Sequence, residues 1–168
     1  MGRWPSVYRY TTEQCKPIST KFFKKHHYFD AGVHYGELDW YSNRKNLGGI
    51  NFWISTIPGE EYIRLAYVYR DLLLDERCRL DYKIPLVATP CHFGGRRWWF
   101  ICTLIINDRP CNRRVGVLYL GDQKYFGCRH CYSLTYASCR QSHKYDTCFR
   151  SMGITPEEAK LLFQNREI

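Results

Sequence analysis

The pattern of apolar and polar positions in the first half of the chain predicts one short helix followed by four strands. Apolar residues recur at near-helical spacing over residues 18–29, with cations between them, which is typical of an amphipathic helix. The turn sequence Pro58-Gly59-Glu60 separates two later apolar runs and indicates a β-hairpin. Runs rich in Tyr, Trp, Ile and Val predict an antiparallel meander of strands at residues 33–41, 50–57, 61–69 and 80–89.

The second half begins after residues 90–95 (PCHFGG), where proline and glycine interrupt the pattern. Two short strands are predicted at residues 113–120 and 123–126, joined through Gly121-Asp122. Residues 133–143 are compatible with a helix. A further helix over residues 156–166 is indicated by Thr155 as N-cap, Pro156 at the first helical position and Glu158 three residues after the cap.

The cysteine content of the chain is high, with nine cysteines in 168 residues. No apolar stretch approaches the roughly 20 residues of a membrane-spanning helix, and the first residues lack the pattern of a secretory signal. We therefore expect a cytoplasmic protein that does not enter a membrane. Reducing compartments keep structural disulfides rare, so cysteines in this number indicate metal binding or catalysis.

The spacing of four cysteines predicts a structural zinc site. Cys128 and Cys131 form a close pair, and Cys102 and Cys111 would supply the second pair, with sixteen residues between Cys111 and Cys128. Zinc prefers four tetrahedral ligands, and two pairs of thiolates on tight turns meet that geometry. Eight residues, 103–110 (TLIINDRP), lie where a standard knuckle has two, which lengthens the first knuckle into a loop.

The spacing leaves alternatives for the other cysteines and histidines. Cys91, with His92, can replace Cys102 if the long knuckle does not close. Cys139, His143 and Cys148 can form part of a second site, although they contain no close pair and ordinary packing is favoured. The isolated residues Cys15 and Cys78 are interpreted as unliganded.

These features predict an α+β fold with a small antiparallel β-sheet and a short helix, followed by a zinc ribbon and a C-terminal helix. The expected division is residues 1–90 for the N-terminal helix and sheet, 91–150 for the zinc-ribbon module and 151–168 for the C-terminal helix. The composition agrees with a folded chain, since 45% of the residues are hydrophobic and 17% aromatic.

Residues 89–136 resemble a family of uncharacterised proteins of bacteria, phages and mobile elements. The resemblance rests on a Gly-Gly-Arg-Arg-Trp-aromatic strand at residues 94–99, a knuckle that the family writes Cys-Pro-x-Cys-Gly-Arg-Arg, and Cys-Arg-His-Cys at residues 128–131. It implies that Cys102, Cys111, Cys128 and Cys131 are the ligands and that Cys91 is not. Asn112 stands where the family has glycine, and asparagine tolerates a left-handed backbone best after glycine. The resemblance also implies a phage or mobile-element origin and hence a bacterial host.

The net charge of the chain indicates whether its binding partner is acidic or basic. The net charge is +9, and residues 92–150 contain ten lysines and arginines against three acidic residues. A basic surface attracts nucleic acids and acidic proteins alike. The candidate partner-binding residues are the cations around the cysteines together with a polar residue of the insertion: Arg96, Arg97, Asn107, Arg109, Arg113, Arg114, Lys124 and Arg129.

Two kinds of partner follow from this surface. In the first, the chain binds a protein complex of the host, including one that itself handles nucleic acid, and inhibits a defence complex of the CRISPR type. In the second, it binds DNA or RNA directly, with cations on phosphates and aromatic rings on bases. The aromatic residues of this half are expected to fill a thin core instead: Trp98, Trp99, Tyr119, Tyr125 and Phe126.

A catalytic function is not expected. The sequence has no phosphate-binding glycine loop, no zinc-hydrolase motif and no ordered set of Ser, His and Asp. The deaminase pattern also fails, because Thr103 and Leu104 follow Cys102 where a glutamate would be needed. Four thiolates would leave zinc no open position for water. We therefore predict a binding protein.

Overall fold

The computed structural model describes residues 9–42, 44–71, 76–121 and 124–141. Over these ranges most residues lie in strands, and both helices are short. A 3-10 turn, Thr12–Gln14, precedes the other elements. In chain order they are β1 Lys16–Ser19, α1 Thr20–Lys25, β2 Val33–Ser42, β3 Lys45–Ser55, β4 Tyr62–Asp71, β5 Glu76–Pro90, β6 Arg96–Ile101, β7 Ile105–Ile106, β8 Arg109–Pro110, β9 Arg114–Val115, β10 Val117–Leu120 and α2 Ala137–Gln141.

Among the described strands, six form one antiparallel sheet in the order β2-β3-β4-β5-β6-β9. The long strand β5 connects its two halves, since residues 76–85 pair with β4 and residues 86–90 pair with β6. Strand β1 pairs with β10, and β7 pairs with β8. The sheet therefore continues across the turn at residues 91–95 and ends beside the cysteines.

The hydrophobic core lies on one face of the six-stranded sheet. Alternate residues of β3 to β6 point inward and are buried, as strand geometry requires. Phe23 of α1 is fully buried against this face, and its ring contacts those of Phe52 and Phe100 edge-on. Ile18 of β1 and Leu118 of β10 complete the cover. The same cluster includes Cys102 and Cys128, so the cysteine site is continuous with the core.

The predicted α+β class is wrong, because the described part of the chain is mostly β. Residues 113–120, predicted as one strand, divide between two sheets: β9 pairs with β6, whereas β10 pairs with β1. The predicted C-terminal helix at residues 156–166 lies outside the described residues.

The local predictions were accurate for the strands of the first half and poorer elsewhere. Strands β2 to β5 and the β3–β4 hairpin are confirmed, with longer bounds. The helix predicted at residues 18–29 is only α1, and Ile18 belongs to β1. Residues 124–126 are not a strand, although Gly127 forms a bridge with Tyr119. No helix in the described ranges is both long and apolar enough to span a membrane.

Candidate metal centre

The sulfur atoms of Cys102, Cys111, Cys128 and Cys131 all lie within 4.8 Å of one another. The distance is 3.8 Å between Cys102 and Cys131, 3.8 Å between Cys111 and Cys128, and 3.5 Å between Cys128 and Cys131. Four sulfurs placed tetrahedrally at about 2.3 Å from a zinc ion would be roughly 3.8 Å apart. A disulfide would need about 2.05 Å. The four cysteines are therefore close enough to bind a metal ion, and their spacing fits a tetrathiolate site.

The second knuckle is a tight turn with backbone amides directed at sulfur. The amide of Cys131 donates to Sγ of Cys128 at 3.5 Å, and the amide of Cys128 donates to Sγ of Cys102 at 3.4 Å. The turn is closed by bonds from Tyr132 N to Cys128 O and from Leu134 N to Arg129 O. Amide donors of this kind stabilise thiolates, which are the form that binds metal.

The eight-residue insertion forms a small β-hairpin within the first knuckle. Strands β7 and β8 pair through Ile105↔Pro110 and Ile106↔Arg109. Asn107 and Asp108 form the two-residue loop with φ of 50° and 60°, the left-handed pair that a type I′ turn requires. At the base, the amide of Cys111 donates to the carbonyl of Leu104 at 2.8 Å. This bond closes the insertion, so that Cys111 approaches Cys102 as it would in a short knuckle.

Asn112 follows this hairpin in the conformation expected of it. Its φ is 49°, and its amide donates to the carbonyl of Cys102 at 3.1 Å. The amide of Cys102 in turn donates to the carbonyl of Arg113 at 3.0 Å. These bonds continue the antiparallel pairing of β6 and β9 up to the two ligands. Asn112 thus adopts the left-handed backbone that was predicted at this turn.

Without a bound cation, burial and mutual repulsion oppose joint ionisation of the four thiols. Burial raises the pKa of the Cys102 thiol, although the backbone amides of Leu104 and Cys128 oppose this effect. Burial also raises the pKa of Cys131, and the neighbouring thiols add to it. For Cys111 burial acts in the same direction, but the Arg113 amide and the other cysteines outweigh it and lower the pKa. Several thiolates this close repel one another, and a divalent cation would offset that repulsion.

Three tyrosines, which we call the tyrosine cluster, position the segment that leads into Cys128. Tyr67 donates to the carbonyl of Lys124 at 2.7 Å, and the amide of Phe126 donates to the hydroxyl of Tyr82 at 2.9 Å. Tyr132 donates to the carbonyl of Tyr125. Burial raises the pKa of all three phenols, which therefore remain protonated at neutral pH.

The tyrosine cluster was not predicted from the sequence. Tyr67 and Tyr82 belong to β4 and β5, and their partners lie 57 and 44 residues further along the chain. Their only local signal is a polar-tipped aromatic residue at an inward-facing strand position. A buried tyrosine needs a hydrogen-bond partner, and here the partner is the backbone of the metal-binding half. The first half of the chain thus supports the cysteine site.

Gly127 is the contact point between the two knuckles, and Gly127→Ala is expected to destabilise the protein by about 1–3 kcal/mol. An added Cβ would lie 2.8 Å from two ring atoms of Tyr132 and closer still to Leu104. The Gly127 backbone cannot move away, because it is bonded to Tyr119 in both directions. Urea unfolding of the metal-loaded protein measures the loss.

Gly116→Ala is the matched control for this prediction. The nearest atoms to a Cβ at Gly116 are 3.7 Å and 4.0 Å away, which is ordinary van der Waals contact. The variant should therefore unfold at the same urea concentration as the wild type or a higher one. Equal stability of the two alanine variants would show that the packing between the knuckles contributes nothing.

The remaining candidate ligands lie away from this cluster or outside the described residues. Cys91 and Cys139 are exposed and do not belong to it, and neither do Cys15 and Cys78. His143 and Cys148 are not among the described residues. The alternative in which Cys91 replaces Cys102 therefore has no support in the geometry.

Most of the predicted partner-binding residues lie on the surface of the described chain. Arg129 is half-buried with its guanidinium 5.1 Å from the centre of the Tyr136 ring. The others are exposed: Arg96, Arg97, Asn107, Arg109, Arg113, Arg114 and Lys124. Among the aromatic residues of this half, Trp98 and Phe126 are buried in the core as expected, whereas Trp99 and Tyr119 are half-buried. The prediction is wrong for Tyr125, which is exposed. Whether these surface residues bind a partner stays a prediction.

The fold and the site together define a mostly-β protein with a candidate tetrathiolate metal centre. Comparisons of the chain with models of protein families, with curated proteins and with solved structures find no match. The resemblance of residues 89–136 to a mobile-element family therefore stays a prediction.

Proposed function

We propose that this chain is a non-catalytic zinc protein that presents the β7–β8 hairpin to a protein partner. The observation that carries the proposal is the position of this hairpin: it projects from between two metal ligands and is closed at its base by the bond between Leu104 and Cys111. Zinc is the metal that best fits four thiolates in a tetrahedral arrangement. In this proposal the metal fixes the direction in which the hairpin points.

The hairpin surface suits a protein interface better than a phosphate backbone. Its strands expose two adjacent isoleucines, Ile105 at 66% and Ile106 at 44% of their full surface. Exposed β-branched residues on a rigid hairpin lose little entropy on binding, and apolar side chains of this size form the centre of protein interfaces. Arg109 on the same hairpin, with the nearby Arg113 and Arg114, provides a basic rim for an acidic partner.

The metal is proposed to be structural, and the protein is proposed to have no catalytic activity. Four thiolates complete the coordination of zinc, and a catalytic site would keep a position for water or substrate. Two of the four cysteines, Cys102 and Cys128, are fully buried. The mobile-element origin, the bacterial host and the inhibition of a defence complex rest on the sequence resemblance alone and stay predictions. Direct binding of nucleic acid by the cations around the cysteines is the alternative.

The test is a capture experiment with the double variant Ile105→Thr/Ile106→Thr. Threonine keeps the β-branched shape that the strand favours but removes apolar surface, so the hairpin should fold and lose its partner. Tagged wild-type protein is used as bait in a bacterial lysate, with and without nuclease. We expect proteins retained after nuclease treatment, and at least about tenfold less of them with the variant, a loss of roughly 1.4 kcal/mol.

The control variant is Arg113→Ala/Arg114→Ala, which changes exposed cations and leaves the hairpin unaltered. It should retain most of the captured protein, because rim charges affect mainly the association rate. Loss of everything on nuclease treatment would contradict a protein target and favour the nucleic-acid alternative. Equal capture by the wild type and the isoleucine variant would remove the hairpin from the proposal.

A further inference from the structure

The outer face of the six-stranded sheet, opposite the core, has a cross-strand row of aromatic and cationic side chains. Residues paired across neighbouring strands point to the same face, and the pairs Tyr35↔Trp53, Trp53↔Arg64 and Arg64↔Lys83 form one continuous row over β2 to β5. The chain neighbours of Trp53 and Arg64 are buried core residues, which places the row on the outside.

The rings on this face are accessible. Tyr35 lies on the edge strand β2 with 77% of its surface exposed, whereas Trp53 and Tyr62 are half-buried. A tyrosine exposed to this degree contributes little to the core and leaves its ring free to stack. Tyr35 and Trp53 are directly opposite each other on neighbouring strands. The Cβ atoms of such a pair are about 5 Å apart. They therefore form a two-ring platform.

Cations on the same face are positioned by rings and by one acidic residue. Arg64 donates to both carboxylate oxygens of Asp81, at 2.6 Å and 2.5 Å, which fixes its guanidinium plane. Three cations also lie over aromatic rings. The distance from the cation to the ring centre is 5.1 Å for Arg64 on Trp53, 4.0 Å for Lys83 on Tyr62 and 4.1 Å for Arg97 on Trp99. Because Arg64 lies over the Trp53 ring, a base at this position stacks on the guanidinium plane of Arg64 as well as on the exposed part of the ring.

The charge of this face is complementary to phosphate. By strand alternation the described outward positions of β4 to β6 include six cations and one acidic residue: Arg64, Arg70, Arg77, Arg79, Lys83 and Arg97, with Asp81. The acidic residues Glu37 and Asp39 lie on β2, at the far edge. Positive charge therefore increases across the sheet from the ring platform on β2 and β3 towards β5, and a strand of nucleic acid could place bases at one side and phosphates at the other.

We propose that this outer face binds single-stranded nucleic acid. Unpaired bases stack on Tyr35 and Trp53, and phosphates lie against Lys83 and Arg79. Bases in a duplex are already stacked and cannot reach such rings, so single strands are the ligand that this chemistry selects. The proposal does not depend on the β7–β8 hairpin, since its residues belong to the six-stranded sheet and the hairpin forms a separate two-stranded one.

The test measures the anisotropy of fluorescein-labelled oligo(dT) and oligo(U) of 20 nucleotides on titration with the full, zinc-loaded chain at 50 mM salt. Tyr35→Ala should weaken binding about tenfold, because each stacked base contributes roughly 1–3 kcal/mol. Tyr35→Phe keeps the ring and should bind as the wild type does. Tryptophan fluorescence should be quenched on binding, because Trp53 lies in the platform.

Charge variants test the phosphate side of the same face. Lys83→Gln should reduce the slope of log affinity against log salt by about 0.7, the value for one contact with a single strand. Lys25→Gln is the matched control, because Lys25 is an exposed lysine on α1, which covers the inner face. Equal slopes for these two variants would contradict the proposal.

Three further outcomes would overturn it. These are an absence of binding at 50 mM salt, equal affinity of the wild type and Tyr35→Ala, and binding of a 20-base-pair duplex as tight as that of the single strand. Because Tyr35 is exposed on an edge strand, its variants should unfold at the wild-type urea concentration, which makes each of these results interpretable.

Discussion

Cys128→Ser is expected to abolish zinc binding and to unfold the part of the chain around the cysteines. Cys128 is fully buried and lies within 4 Å of both Cys111 and Cys131, so serine would leave an incomplete site inside the core. Binding of structural zinc contributes about 10–16 kcal/mol at neutral pH, which equals or exceeds the total stability of most domains. Elemental analysis should give about one zinc per wild-type chain and none for the variant.

The matched control is Cys91→Ser, at an exposed cysteine outside the cluster. It should keep one zinc per chain and the wild-type unfolding curve. Cys15→Ser should behave in the same way. Freshly purified wild-type protein without zinc would end the proposal of a zinc site. If Cys91→Ser lost its metal as Cys128→Ser does, the assignment of ligands would be wrong.

Phe23→Ala should lower the free energy of unfolding by about 3–5 kcal/mol. The Phe23 side chain is fully buried between α1 and the sheet, and its ring contacts four others besides that of Phe22: Tyr28, Phe29, Phe52 and Phe100. Alanine would leave a cavity that these rings cannot fill without losing contacts with the sheet. Urea unfolding of the zinc-loaded protein should show a lower midpoint with an unchanged slope.

Phe22→Ala tests the same substitution one residue earlier. Phe22 is half-buried, and its ring makes a tilted contact with that of His26 at the end of the helix. Phe22→Ala should therefore lower the free energy of unfolding clearly less than Phe23→Ala does. Equal losses would show that α1 is not anchored by Phe23. A similar loss of zinc from both variants would show that the helix supports the metal site and not only the core.

Local patterns predicted β2 to β5 because the alternation of those strands is regular and their turns are marked by glycine and proline. They predicted the cysteine cluster because ligand spacing is a local property. The predicted helix was too long because Ile18 pairs with Leu118, a partner 100 residues away that apolar spacing does not reveal. His27, with a φ of 60°, also follows directly on the helix C-cap.

The division of residues 113–120 between two sheets depends on similar long-range pairings. Val115 pairs with Phe100 of the large sheet, whereas Val117 pairs with Ser19. The sequence of residues 113–120 does not indicate that the chain changes from one sheet to the other at Gly116. Tyr67 and Tyr82 of the tyrosine cluster were missed for the same reason, because their bonds join residues 57 and 44 positions apart in the chain.

Because the base of the β7–β8 hairpin is closed by a backbone bond, the hairpin is the part of the metal site that can change length during evolution. The bond between Leu104 and Cys111 brings the second ligand beside the first whatever number of residues the strands contain beyond it. Insertions or deletions of residue pairs in residues 105–110 would preserve the strand register and the coordination of the metal. Related sequences should therefore vary most in the segment between their first two cysteines, and each length would present a different surface on the same framework.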